Sequence, residues 1–262
     1  MNGHSGYDSL KAILAGSKAA VIALSGGTDS TFLVSVAARV TGLRLMAITV
    51  STPYMFSSEV NDAAAFCRGL GVKHVVIKLD MPHSVFANPP DRCYLCKREV
   101  MKAVTTAAAE GGFDAVYDGT NADDLSDYRP GMKALSELGI RSPLAEAGLT
   151  KEEIREMARM EGLDVSDKPS NTCLLTRFPH DTMITPGNLR RAEEAERIVA
   201  EAGFMGARVR IHGDLVRIEC RTEHFASLTG KEIREKLSAA IKELGYKYVT
   251  IDAEGYRSGS MN

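Results

Sequence analysis

Three cysteines sit where thiols could act together. Cys93-Tyr94-Leu95-Cys96 brings two within reach of one metal ion, just after Asn88-Pro89-Pro90, and Cys173 closes the loop Lys168-Pro169-Ser170-Asn171-Thr172. A helix start near Cys96, with Arg92, Lys97, Lys168 and Arg177 as neighbouring cations, favours the thiolate form. Three sulfur ligands leave several readings open. Structural zinc wants four protein ligands and would need a histidine such as His83 or His180. A [4Fe–4S] cluster on three cysteines keeps one iron open for a substrate sulfur. A CxxC can also be no more than two inert thiols one helical turn apart. Cys67, beside Phe66 and near Leu70, and Cys220, alternating inward with Val216 and Ile218, read as core residues.

A second constellation is suited to an anion. The apolar run Ala19 to Leu24 is followed by Ser25-Gly26-Gly27-Thr28-Asp29-Ser30 and then a helical pattern. Glycines let the backbone turn its N–H groups toward a phosphate, and a helix N-terminus adds partial positive charge. Without Gly-Lys-Ser/Thr this is no Walker loop, and without Gly-x-Gly-x-x-Gly no dinucleotide fingerprint. Asp118-Gly119-Thr120-Asn121-Ala122-Asp123-Asp124 follows the fourth expected strand, at the carboxyl edge where open sheets bind ligands. Its three carboxylates repel one another unless a cation or hydrogen-bond donors compensate; a solvated Asx-rich turn is the plainer reading. Farther on, Arg208, Arg210 and His212 alternate with Val209 and Ile211, so one face of that strand is cationic. Forked donors there suit a mononucleotide phosphate, and the plainer alternative is the solvent face of an edge strand.

Strands must carry these loops. The sequence predicts strands at Ala19 to Leu24, Leu43 to Val50, His74 to Leu79 and Phe113 to Asp118. Helices are expected at about Asp29 to Val40, Ser58 to Leu70 (Ser57 and Ser58 as N-cap candidates), Cys96 to Glu110 and Thr150 to Gly162, the last with Thr150 and Glu153 as a capping box. Strands alternating with helices predict a parallel α/β sheet. After Pro186-Gly187 the pattern becomes a helix from Asn188 to Gly203, strands at Ala207 to His212 and Leu215 to Cys220, a helix near Lys231 to Leu244 and the strand Tyr248 to Ile251. Two domains are therefore expected, 1–186 and a small α+β unit, 187–262, which at this size should lean on the first domain or on another subunit.

Composition narrows the function. The 262 residues are 44% hydrophobic and 25% charged, with a formal net charge of −2. Nothing global draws such a chain to nucleic acid or anionic lipid. No apolar run approaches the ~18 residues of a membrane span, and the polar N-terminus does not resemble a signal peptide. A cytoplasmic enzyme is expected, and five cysteines, an odd count, make no disulfide framework.

The Ser25–Ser30 segment resembles the pyrophosphate loop of the ATP pyrophosphatase (PP-loop) superfamily, which cleaves ATP between the α- and β-phosphates. Over nearly its whole length the chain resembles the LarE sulfur transferases of nickel-pincer nucleotide biosynthesis. The matching segments are Ser25–Ser30, Asn-Pro-Pro-Asp-Arg-Cys-Tyr-x-Cys-Lys, Asp-Gly-Thr-Asn-Ala-Asp-Asp, Arg141-Ser-Pro-Leu144, Lys-Pro-Ser-x-x-Cys173 and the ending Gly-Tyr-Arg-Ser-Gly-Ser-Met-Asn. The resemblance implies an adenine nucleotide alpha hydrolase-like fold and an enzyme that adenylates a pyridinium mononucleotide carboxylate and replaces AMP with sulfur. It implies ATP contacts from Ser25, Gly26, Gly27, Thr28, Asp29, Ser30, Gly119, Asn121, Asp123, Asp124 and Arg141, with Mg²⁺ at Asp29. Arg208, Arg210 and Glu196 match substrate-phosphate residues. In sacrificial members a cysteine matching Cys173 gives up its own sulfur, and those members lack the CxxC. Its presence here implies the variant in which Cys93, Cys96 and Cys173 hold a [4Fe–4S] cluster that ferries sulfide. The sequence names no sulfide donor. The family forms homo-oligomers, so a dimer to hexamer is expected. A tRNA thiolase with the same chemistry is the competing reading; near-neutral charge and the lack of terminal zinc-ribbon cysteines count against it.

Overall fold

A computed structural model describes residues 3–126, 130–167, 172–257 and 260–261. The chain divides into two compact units. Unit 1 comprises residues 1–82 and 91–171; unit 2 comprises residues 83–90 and 172–262.

Unit 1 contains α1 (Gly3–Ala15), β1 (Ala19–Ala23), α2 (Thr28–Ala37), β2 (Arg44–Ser51), α3 (Ser57–Leu70), β3 (Lys73–Lys78), α4 (Arg92–Glu110), β4 (Ala115–Tyr117), α5 (Gly131–Glu137), α6 (Pro143–Glu146) and α7 (Lys151–Met160). Its four strands are all parallel, in the order β3-β2-β1-β4. Successive residues of β1 feed opposite cores, as a sheet covered on both faces requires. Ala20 and Ile22 join Leu10, Leu14, Phe32, Leu33, Ile154 and Ala158 on one side. Val21 joins Met46, Ile48, Met101, Val104 and Leu135 on the other. Cys67 belongs to the first core, where burial pushes its thiol up to about 11 and keeps it inert.

Sequence order along the sheet reverses at β1, whose neighbours are β2 and β4. The crevice at the carboxyl ends of two such strands is where open α/β sheets take ligands. Register pairs Ile22 with Tyr117, so the chain leaves β1 and β4 at the same edge, into Ser25–Ser30 and Asp118–Asp124.

Two local expectations need correction. The N-terminal segment, read only as polar, forms α1; Leu10 and Leu14, one turn apart and fully buried, are the narrow apolar stripe that docks it. Ser57 and Ser58 lie inside α3, whose N-cap is Phe56 without a side-chain cap. The box at α7 forms as expected: Thr150 Oγ1 accepts from the Glu153 N–H while Glu153 accepts from the Thr150 N–H.

Unit 2 contains α8 (Pro186–Glu201), β5 (Arg208–His212), β6 (Leu215–Glu219), α9 (Phe225–Leu228), α10 (Lys231–Glu243) and β7 (Tyr248–Ile251). β5 and β6 form an antiparallel hairpin and β7 runs parallel to β6, so β5 is an edge strand. Residues 83–90 join this unit through Asn88, whose side-chain amide reaches the carbonyls of Leu175, Phe178 and Pro179 at 2.8–3.3 Å. The contact division thus falls between Asn171 and Thr172, whereas the sequence pattern changes at Pro186-Gly187. Among the described residues, no helix is long and apolar enough to cross a membrane.

Candidate active site

The glycine turn after β1 is built to leave backbone donors in place. Gly26 adopts φ 80°, and a Cβ there would stand 2.8 Å from the Glu59 carbonyl oxygen, so glycine is required on both counts. Gly27 caps α2 without a side-chain bond. The first-turn N–H groups of Thr28, Asp29 and Ser30 have no intrahelical acceptor, which is the arrangement that binds phosphate. Ser30 Oγ sits 3.1 Å from Ser25 Oγ and donates to the Gly27 carbonyl at 3.2 Å, holding the turn closed. Thr28 Oγ1 instead donates to the Val165 carbonyl, 2.8 Å away, so its hydroxyl anchors the helix start.

The turn also has a support beneath it. Thr49 Oγ1 donates its one proton to the Leu24 carbonyl at 2.8 Å and therefore accepts from His74 Nε2, also at 2.8 Å. Burial, with the Arg68 charge second, lowers the His74 pKa and favours the neutral ring this chain of bonds uses.

The acidic loop packs directly on the glycine turn. A Cβ on Gly119 would fall 2.8 Å from the Ser30 backbone nitrogen, so only glycine permits this approach. Asp118 is buried and fully answered: it accepts from Thr120 N and Oγ1, from Ser142 Oγ at 2.7 Å and from Lys97 Nζ at 3.2 Å. Asn121 and Asp124 close an Asx-type loop through reciprocal 3.2 Å bonds to each other's backbone N–H. Asn121 Nδ2 reaches Asp29 at 3.1 Å, and Lys151 Nζ stands 2.6 and 2.7 Å from the two Asp29 oxygens. Asp123 accepts from the Lys151 backbone N–H at 2.8 Å. The carboxylates are thus compensated as charge repulsion demands, by hydrogen-bond donors and the ammonium groups of Lys97 and Lys151. Arg141 bonds back to Glu146, which raises its pKa, and its main chain pairs with β4.

Cys93 and Cys96 lie on the first turns of α4, which begins at Arg92, earlier than expected. Cys93 is exposed; Cys96 is half-buried and its thiol donates to the buried Tyr54 hydroxyl at 3.1 Å. Cys173 is half-buried in unit 2, at the N-cap of a 3-10 turn, Leu174–Arg177, where Thr176 N and Oγ1 both bond its carbonyl. Two of the cations expected to favour thiolates are engaged elsewhere, Lys97 with Asp118 and Arg177 with Glu196. Lys168, Pro169, Ser170 and Asn171 lie outside the described residues. Within either unit, no three described His, Cys, Asp or Glu side chains gather to hold a metal ion. Cys93 and Cys96 lie in unit 1 and Cys173 in unit 2, and each side chain is a free thiol, the ligand type that iron–sulfur clusters take. Cys220 is buried, and burial raises its pKa, as a core residue should show.

In unit 2 the arginines of β5 are not a solvent face. Arg208 is 5% exposed and Arg210 4%, because α8, the 174–177 turn and Ser260 cover the edge strand; only His212 is exposed. Arg210 grips the buried Glu219 through Nε and Nη2 at 2.9 and 2.8 Å and donates to the Thr176 carbonyl and Ser260. Arg177, fully buried, forms a forked pair with Glu196 at 2.7 and 2.9 Å, and Glu196 also accepts from the Val209 N–H. Arg208 differs. It donates to the carbonyls of Gly206 and Ala207 at 3.2 Å and lies over the Tyr256 ring. Burial, then the charge of Arg177, pushes its pKa down, so the cluster favours an incoming anion.

Sequence reasoning passed over Lys151, Ser142 and Glu219. A signal for Glu219 existed, since a hairpin turned at Gly213-Asp214 sets Glu219 opposite Arg208. Lys151 and Ser142 are brought in by the fold alone.

A family model described as NAD synthase matches residues 8–108. An uncharacterised protein of Synechocystis is 39% identical over 245 residues, covering 93% of this chain and 91% of that protein. The pyridinium-3,5-bisthiocarboxylic acid mononucleotide synthase of Lactiplantibacillus plantarum is 33% identical, with 92% of this chain and 88% of that protein aligned. An uncharacterised protein of Methanocaldococcus jannaschii is 34% identical over 92% of each chain.

Proposed function

The chain belongs to the LarE family of PP-loop, ATP-dependent enzymes, and from that premise we propose that it adenylates a carboxylate of a pyridinium mononucleotide and converts it to a thiocarboxylate, in the synthesis of a nickel-pincer nucleotide. The observation that carries the ATP chemistry is the Gly119–Ser30 approach, which sets the acidic loop against an anion-binding helix start at the switch point of the sheet.

A free carboxylate is a poor electrophile, and adenylation gives it a leaving group. The Thr28, Asp29 and Ser30 amides hold the β- and γ-phosphates and stabilise charge as it develops on pyrophosphate. Asp29 is the oxygen ligand that would hold Mg²⁺. The carboxylate oxygen bonds to the α-phosphorus, and the bond from that phosphorus to the bridging oxygen breaks. Sulfide-level sulfur then bonds to the acyl carbon, and the bond from that carbon to the AMP oxygen breaks, so AMP leaves with the former carboxylate oxygen. Arg208 receives the substrate's phosphate, while Glu196 acts through Arg177 and Glu219 through Arg210, holding the cationic cluster in shape.

Sulfur reaches the acyl group by way of Cys173, which with Cys93 and Cys96 forms the three-thiol set for a [4Fe–4S] cluster. When bound, such a cluster offers an open iron that can carry sulfide. Anaerobically purified wild type is expected to contain iron and acid-labile sulfide. Cys93→Ala, Cys96→Ala and Cys173→Ala should each lose both while still binding ATP. Iron that survives loss of Cys173 means that the three thiols do not share a site.

A further inference from the structure

Tyr256 is an aromatic side chain held at the cationic cluster of unit 2 by a turn built to deliver it. After β7 the chain folds back: the Asp252 N–H donates to the Ile218 carbonyl at 2.9 Å and the Tyr256 N–H to the Cys220 carbonyl at 2.8 Å. Gly255 adopts φ 74°, and a Cβ there would stand 2.8 Å from that Cys220 oxygen, so glycine is required just before the tyrosine. The Arg208 guanidinium lies over the Tyr256 ring, 5.6 Å from its centroid. Arg208 is 5% exposed, whereas Tyr256 is 40% exposed.

Core packing does not account for such a ring. A tyrosine that closes a core is covered, as Tyr54 and Tyr246 are. Ligand sites, by contrast, pair aromatic walls with a few placed charged groups. A mononucleotide whose phosphate is received by Arg208 carries its base one sugar away, so a ring beside Arg208 is within reach of that base. A pyridinium is flat and bears a full positive charge. The face of a phenol ring is the negative end of its quadrupole, which attracts a cation and stacks on a flat one. The phosphate of the same ligand offsets the Arg208 charge and so weakens the repulsion a second cation would meet there.

We infer that Tyr256 is the platform on which the substrate's pyridinium ring rests, and so the residue that selects a cationic base over an uncharged one. The inference rests on the mononucleotide reading. The contact is one of binding only: no bond forms or breaks, and no proton moves. The ring face carries it and the hydroxyl does not, so phenylalanine should replace tyrosine and leucine should not.

The test is calorimetric titration of the full chain, as wild type, Tyr256→Leu and Tyr256→Phe, with far-UV circular dichroism as the check on folding. The probes are oxidised nicotinamide mononucleotide, its reduced form with an uncharged ring, and ribose 5-phosphate, which has no ring. Wild type should bind the oxidised form most tightly. Tyr256→Leu should bind it roughly fivefold to thirtyfold more weakly, the worth of one cation–π contact, while its affinity for ribose 5-phosphate stays that of wild type. Tyr256→Phe should retain the wild-type preference. A folded Tyr256→Leu that keeps the preference overturns the inference and leaves the mononucleotide reading standing. Equal weakening toward all three probes also overturns it, since that outcome marks a tyrosine that merely supports Arg208. Equal wild-type affinity for the oxidised and reduced forms overturns it as well. A wild-type chain that binds none of the three overturns the mononucleotide reading and this inference with it.

Discussion

Cys173→Ala should lower thiocarboxylate formation by about three orders of magnitude or more, the scale on which loss of the sulfur route is felt, because the three-thiol set that carries the attacking sulfide is then incomplete. Release of AMP and pyrophosphate should continue, because the groups that hold ATP are elsewhere in the chain. Cys173 caps the Leu174–Arg177 turn, and the anchor of that turn is its backbone carbonyl, bonded by Thr176 N and Oγ1, which alanine retains. The turn should therefore survive the substitution, and a loss of product would report chemistry and not unfolding. Mass spectrometry of the nucleotide product, run beside AMP quantification, separates the two half-reactions. Thiocarboxylate formed at the wild-type rate by Cys173→Ala would remove this residue from the sulfur route.

The largest stability effect is expected at Arg177. Its side chain is fully buried and answered by a forked pair with Glu196, whose own side chain is 10% exposed. Arg177→Met leaves that carboxylate beneath the surface without its partner, an imbalance worth about 3–5 kcal/mol. Urea denaturation followed by circular dichroism should show an earlier transition for unit 2, and Arg177→Met combined with Glu196→Leu should recover part of the loss by removing the stranded charge. Arg177→Met with an unshifted midpoint would show that the pair is not what holds the 174–177 turn to α8 and β5.

How far the sequence led depends on the reach of each interaction. Local signals carried well. The apolar run at Ala19–Leu24 marks a central strand because both faces of β1 are covered, and Thr150-x-x-Glu153 is read correctly because a capping box closes within one turn. Ser57 failed as a cap because the chain enters α3 one residue earlier, at Phe56. Side-chain networks were the least legible part. Lys151 meets Asp29 across 122 residues, and Arg210 meets Ser260 across 50, through folding alone. The alternation of Arg208 and Arg210 showed that they share a face, but not that α8, the 174–177 turn and Ser260 bury it. A cation next to a cysteine in sequence was equally misleading, since Lys97 turns to Asp118.

Substrate labelled with ¹⁸O in its carboxylates tests the central claim most directly. Adenylation passes one carboxylate oxygen to phosphorus, so the AMP isolated after turnover should carry one ¹⁸O atom, with pyrophosphate unlabelled. Unlabelled AMP, or ADP and phosphate in its place, would contradict the account.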